Sequence, residues 1–194
     1  MSAEILRLFL AVPLHHVFLQ EIKDILHPLR AGIPGVKWVD PGQVHLTLHF
    51  FGDVPASEVD GIDQAMKRIL PRFAPFRIRL NGLGGFPDLR RPHVLWVGVS
   101  GENRELFELQ ESVRREVEAL GYAADGRAFR PHATLGRVKK IPGALSCQEE
   151  IEKMKLRFPT EIKTLDHFVL YQSRLLPDGA CYETVKTYPL SKAS

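Results

Sequence analysis

The chain has 194 residues, 44% hydrophobic and 25% charged, with a formal net charge of +3. That length and balance fit one globular domain, or two small lobes sharing a core, with enough apolar residues to fold without staples. The mild positive charge admits an anionic substrate and does not point to a protein that coats nucleic acid. No apolar run approaches the length that spans a bilayer, so a membrane partner is not expected. Cys147 and Cys181 form no metal or redox motif. The segment around Glu4 and Arg7 lacks the long apolar core of a secretory signal, so a reducing cytoplasm is the expected setting.

Taken in order, Leu6 to Val12 is a compact apolar run closed by Pro13 and reads as a buried strand. From Leu14, the residues Val17, Phe18, Ile22, Ile25, Leu26 and Leu29 recur at helical spacing up to the Gly32-Ile33-Pro34-Gly35 turn. A strand then carries Val44-His45-Leu46-Thr47-Leu48-His49-Phe50-Phe51 and is expected to end at Gly52-Asp53. Pro55-Ala56-Ser57 opens a second helix with Val59, Ile62, Met66, Ile69 and Leu70 as its apolar stripe, stopped by Pro71. Phe76 to Leu80 alternates with period two, as a strand with one wet face does, and the glycine-rich stretch from Gly82 to Pro92 reads as a loop. His93 to Val99 is a strand. A third helix begins at Ser100 or Gly101, carries Leu106, Leu109, Val113, Val117 and Leu120 inward, and is capped by Gly121. Asp125-Gly126 marks a turn before the strand containing His132-Ala133-Thr134-Leu135. A fourth helix is expected from Leu145 to Met154, then strands over Phe158 to Lys163, Leu165 to Leu175 and Cys181 to Tyr188, with a hairpin turn at Pro177-Asp178-Gly179.

Two stretches share the pattern His-x-Thr-Leu: His45-Leu46-Thr47-Leu48 and His132-Ala133-Thr134-Leu135. Each follows an apolar strand and a helix, so the order of elements repeats and points to an internal duplication with a pseudo-two-fold arrangement. On a strand, successive side chains alternate between faces, so each copy offers an imidazole and a hydroxyl on one face and apolar anchors on the other. Displacement at phosphorus needs a base for the nucleophile and an acid for the leaving group. Histidine suits both tasks near neutral pH, and threonine hydroxyls can donate to the non-bridging oxygens. Taken singly, each histidine is more often a structural strand residue. The matched pair with matched threonines carries the catalytic reading.

These motifs, with Arg7-Leu8-Phe9-Leu10-Ala11-Val12, Gly85-Phe86-Pro87, Arg91-Pro92-His93-Val94-Leu95-Trp96, Phe129-Arg130-Pro131, Gly136-Arg137 and Leu170-Tyr171-Gln172-Ser173-Arg174-Leu175, resemble the 2H phosphoesterases, in particular the RNA 2',3'-cyclic phosphodiesterase (2'-5' RNA ligase-like) branch. The resemblance runs over nearly the whole chain. It implies an α+β fold over residues 1–194: one bilobal, pseudo-two-fold duplicated domain, with two antiparallel sheets facing a central cleft and helices outside. It implies hydrolysis of RNA 2',3'-cyclic phosphate ends to 2'-phosphates by a monomer, without metal or other cofactor, and weak reverse joining through 2'-5' linkages. It assigns His45 as proton donor and His132 as proton acceptor, and gives Thr47, Thr134 and Arg137 to the phosphate. Strict alternation from His132 puts Arg137 on the wrong face, so the strand must bulge or twist after Leu135, which Gly136 permits.

Other readings stand beside these. His45 and His49 have zinc-like spacing, but on a strand they lie roughly 13 Å apart, too far for one ion; His49 is expected to line the cleft at the strand end. His15, His16, His27, His93 and His167 have no partner pattern. Phe50 and Phe129 can stack on a base, though core packing is the favoured reading. Arg90-Arg91 is a loop pair that can steer phosphates. The alternatives in function are a phosphodiesterase on small cyclic or 2'-5' linked nucleotides, and a non-catalytic RNA-binding module.

Overall fold

The computed structural model describes residues 4–123, 126–139, 147–176 and 179–191. The first apolar run forms β1 (Ile5–Pro13), followed by α1 (His15–Gly32), a short β2 (Val36–Trp38) and the first motif strand β3 (His45–Pro55). After α2 (Val59–Ile69) come β4 (Phe76–Phe86) and β5 (Val94–Gly101). Next are α3 (Asn103–Ala119) and the second motif strand β6 (His132–Val138). The remainder is α4 (Cys147–Lys153), β7 (Lys163–Leu165), β8 (His167–Leu176) and β9 (Gly179–Pro189).

The strands lie in the order β7-β4-β5-β6-β3-β1-β8-β9, with β2 also paired to β6. Neighbours run antiparallel throughout. The two motif strands meet in the middle at one bridging pair, Leu46 with Ala133. A pseudo-two-fold passes through that pair, so β3 corresponds to β6, β1 to β5 and β8 to β4. Each half contributes an antiparallel block to one continuous nine-stranded sheet among the described residues, and the expected duplication appears in this order. Copy one ends in β4, which pairs β5 in the other half, while β8 comes from copy two and pairs β1. The copies have therefore exchanged their third strands.

The helices cover one face. Phe18, Ile22, Ile25, Leu26 and Leu29 of α1, Ile62 and Met66 of α2, and Leu106, Leu109, Val113 and Val117 of α3 form a single core with alternate strand residues. Those include Leu8, Leu10 and Val12 of β1, Leu46 and Leu48 of β3, and Ala133 and Leu135 of β6. Burying each leucine contributes about 1.5–3 kcal/mol. The motif leucines are therefore the anchors that alternation predicts. Gly121 ends α3 at φ 88°, and its N–H and that of Tyr122 donate to the carbonyls of Glu118 and Val117, a paired C-terminal cap.

Several boundaries differ from the sequence reading. β3 does not stop at Gly52 but continues to Pro55, because two register slips against β1, at Leu48 and Phe51, absorb extra residues and Gly52 takes φ 78°. Gly82 to Phe86 is strand, not loop. Gly84 faces Trp96, whose ring fills the place of a Cβ, so the missing side chain is what lets this pairing form. The third helix starts at Asn103, later than expected. Phe158 to Ile162 is irregular, and only Lys163–Leu165 pairs with β4. The short β2 had no signal in the sequence. Leu145, Ser146, Asp125, Pro177 and Asp178 lie outside the described residues.

Candidate active site

The face away from the helices carries both motifs. His45 opens β3 and His132 opens β6. Continuing the register of the Leu46–Ala133 pair by one residue sets His45 beside Thr134 and Thr47 beside His132, on the same face. On that register the four residues fall on one face at the pseudo-two-fold, each motif threonine opposite the other copy's histidine.

The two imidazoles are held alike. His45 Nδ1 lies 2.8 Å from the carbonyl of Gln43, and His132 Nδ1 lies 2.6 Å from that of Arg130, two residues earlier in each case. A carbonyl oxygen only accepts, so Nδ1 carries the hydrogen and donates it. Nε2 is left for chemistry, with a lone pair in the neutral ring or a proton in the charged one. The local cause is the residue pattern before each histidine. Pro41-Gly42-Gln43 forms a 3-10 turn fixed by the Asp40 carboxylate accepting from the Gly42 N–H at 2.7 Å, and Arg130-Pro131 leads into β6.

Their surroundings differ. His45 sits among Phe9 (4.9 Å between ring centroids), Tyr182 (5.2 Å, edge-on) and Tyr171 (6.4 Å), in a second, smaller apolar cluster with Ala11 and Val169. Burial pushes its pKa down to about 4; the Gln43 carbonyl pulls the other way, and the nearby charges of His15 and Arg137 add to the lowering. His132 meets Phe86 edge-on at 4.9 Å and Trp96 at 6.0 Å.

Arg137 is brought to the same face by a bulge. β5 pairs Trp96 with Thr134 and Leu95 with Gly136, so Leu135 is the extra residue. Leu135 and Gly136 both turn into the core, and Arg137 emerges exposed beyond them. It acts electrostatically on both His45 and Tyr182, across the pseudo-two-fold. Gly136 is required by packing: a Cβ there would stand 2.6 Å from Val36 Cγ1 and 2.9 Å from Trp38 Cε3. Lys37 pairs opposite Arg137 and is also exposed, a second cation that sequence reasoning missed because the three-residue β2 has no readable period.

Two expectations need correction. His49 does not line this face. The slip at Leu48 turns it inward, where it is 7% exposed and packs edge-on against Phe51 at 4.7 Å. Phe50 does not pack in the core but is 49% exposed. Phe129 is part-buried against the core, edge-on to Phe107. The Arg90 and Arg91 N–H groups donate to the Asp88 carboxylate, which tightens that loop. His15 and His16 at the start of α1 lie in a row with His167 of β8, their rings tilted to one another, and His167 is hydrogen-bonded to Asp166, which spacing in sequence did not reveal.

The family model for LigT-like phosphoesterases matches twice, over residues 17–96 and again over 97–182, one motif in each match. The chain belongs to the LigT-like phosphoesterase family. The RNA 2',3'-cyclic phosphodiesterase of Archaeoglobus fulgidus is 34% identical over 183 residues, covering 94% of this chain and 99% of that one. Among solved structures, the Thermus thermophilus protein TT0787 aligns with a TM-score of 0.78 at 28% identity, over 97% of this chain and all of that one. Escherichia coli LigT complexed with 3'-AMP aligns with a TM-score of 0.75 at 25% identity, with the same coverage. The double match bears out the family resemblance and the duplicated α+β fold.

Proposed function

We propose that this phosphoesterase is an RNA 2',3'-cyclic phosphodiesterase, with residues 1–194 acting as one bilobal domain that leaves 2'-phosphate ends. The observation that carries the reading is the matched anchoring of His45 and His132 through Nδ1, which frees both Nε2 atoms on one face beside two threonines and Arg137. Relatives over nearly the full length bear that name, and Escherichia coli LigT, which shares the fold, was solved with 3'-AMP.

His132 Nε2 accepts a proton from water, whose oxygen bonds to phosphorus opposite the 3'-oxygen. The P–O3' bond breaks, and His45 Nε2–H donates its proton to O3'. The 2'-phosphate remains on the ribose. Thr47 and Thr134 donate to the non-bridging oxygens, and the Arg137 guanidinium offsets their charge. Each placed acid or base supplies about a hundredfold to ten-thousandfold in rate. A donor must arrive protonated, and burial alone keeps His45 neutral near pH 7. The cyclic phosphate brings the missing term, because an anion beside the ring favours its charged form. Substrate binding and protonation of His45 are thus coupled, and the proton leaves with O3'.

The test is product analysis on an oligoribonucleotide ending in a 2',3'-cyclic phosphate, with and without EDTA. A 2'-phosphate end formed equally in both supports the reading. A 3'-phosphate end, loss of activity on chelation, or binding without opening overturns it.

A further inference from the structure

We infer that Lys37 holds the phosphate one nucleotide 5' of the reacting one, so that the site prefers an oligoribonucleotide end to a cyclic mononucleotide; this rests on the cyclic-phosphate reading above. Lys37 and Arg137 stand directly opposite each other in the β2–β6 pair. Both are exposed, and neither has an ion-pair partner among the described residues. Asp40, close to Lys37 in the chain, accepts from the Gly42 N–H, and Asp88 from those of Arg90 and Arg91. Like charges directly across a strand pair repel, so these two cations call for an anion at their heads. The backbone fixes Lys37 in place. Val36 and Trp38 pack on the core side of β2, so alternation turns Lys37 to the reaction face. The Val39 N–H donates to the Leu135 carbonyl at 2.8 Å and the Lys139 N–H to that of Gly35 at 2.9 Å, which ties both ends of the short strand to β6.

Position decides which phosphate each cation meets. β5 occupies one flank of β6, so β2 shares the other flank with β3. Lys37 therefore lies on the His45 side of β6. In the proposed reaction the 3'-oxygen leaves toward His45, so the ribose that carries it lies on that side too. Arg137, on β6 itself, is the cation of the reacting phosphate. The next phosphate hangs on the 5'-oxygen at the far end of the same ribose, and the free cation on that flank is Lys37. An ammonium on a flexible four-carbon stem suits this task, because it meets a diester oxygen as a point charge without imposing one geometry. A backbone contact of this kind positions the strand and reads no base.

The test compares wild type, Lys37→Gln and Lys37→Arg on three substrates: a diribonucleotide ending in a 2',3'-cyclic phosphate, the same compound with a neutral methylphosphonate linkage, and a nucleoside 2',3'-cyclic phosphate. Lys37→Gln is expected to raise KM for the diribonucleotide roughly threefold to thirtyfold, with kcat within about twofold. Its KM for the other two substrates stays at the wild-type value, and Lys37→Arg behaves as wild type on all three. The slope of log KM against log salt falls by about 0.7 in Lys37→Gln, on the diribonucleotide alone. An equal KM for wild type and Lys37→Gln on the diribonucleotide overturns the assignment. A rise shared by the methylphosphonate or the mononucleotide overturns it too, because Lys37 would then act on the reacting phosphate or on the fold. If wild type opens none of the three, the reaction assignment fails by itself. The contact is then read by isothermal titration of a diadenylate with a 2'-phosphate end against adenosine 2'-monophosphate. Tighter binding of the diadenylate that is lost in Lys37→Gln supports it; a difference equal in both proteins, or none in wild type, refutes it.

Discussion

A histidine whose Nδ1–H is tied to a carbonyl has one nitrogen left to work with, and the same tie is made twice here, to Gln43 and to Arg130. In the proposed reaction, removing either ring removes one half of the proton transfer without touching the main core, since both residues lie on the face opposite the helices. His45→Ala and His132→Ala are each expected to lower kcat at least a hundredfold while circular dichroism and the unfolding midpoint stay near wild type. His45 carries a second expectation. Burial among Phe9, Tyr171 and Tyr182 pushes the pKa of its ring down to about 4. Inorganic phosphate bound beside Arg137 favours the charged ring, so an NMR titration of the His45 ring protons is expected to move upward on adding phosphate. A titration that does not move, or moves down, removes the coupling of binding to protonation. The sequence showed both histidines and both threonines plainly. It did not show the aromatic nest, because Tyr171 and Tyr182 reach His45 only through the pairing of β1 with β8 and of β8 with β9.

Bulges do the positioning at the scale of the strand. Period-two alternation correctly assigned Leu46, Leu48, Ala133 and Leu135 to the core. It failed beyond Leu48 and Leu135, where one extra residue reverses the phase and exchanges the fates of His49 and Phe50. Gly136 hinted at the slip in β6; nothing in Leu48-His49 announced the one in β3. Gly136 also admits β2 against β6, so Gly136→Ala is expected to push Val36 and Trp38 aside and displace Arg137. A loss of about 1–3 kcal/mol in stability is expected by urea unfolding, with a raised KM for the phosphate-bearing substrate. An unchanged KM would separate Arg137 from the phosphate. The glycines of β4 misled in the opposite sense. Gly84 reads as a loop residue, yet it is the bare patch on which Trp96 lies beside His132.

For the whole molecule, depressed histidines link stability to pH. The folded-state pKa of His45 lies below its unfolded value, and that of His15 is lowered by burial and by its histidine neighbours. The unfolded chain therefore takes up protons more readily, and stability falls as pH drops from about 6.5 toward 4. His45→Asn is expected to flatten that fall, which thermal unfolding at pH 7 and pH 5 will measure. An identical slope in the variant would mean that the ring is not desolvated in solution. The order of elements and their repetition were legible from sequence. Which strand of which copy sits beside which was not, because β4 and β8 carry no mark of the half in which they pair.

The exchange of β4 and β8 has a consequence for ancestry. A protein with only one copy would have β1, α1, β3, α2 and β4, but β4 would have no berth inside its own half. Two such chains laid across the same two-fold would each lend a strand to the other and complete both sheets. The present chain has the geometry of that swapped pair with the two subunits fused end to end, so the face that carries both motifs would have begun as a shared seam between two identical molecules.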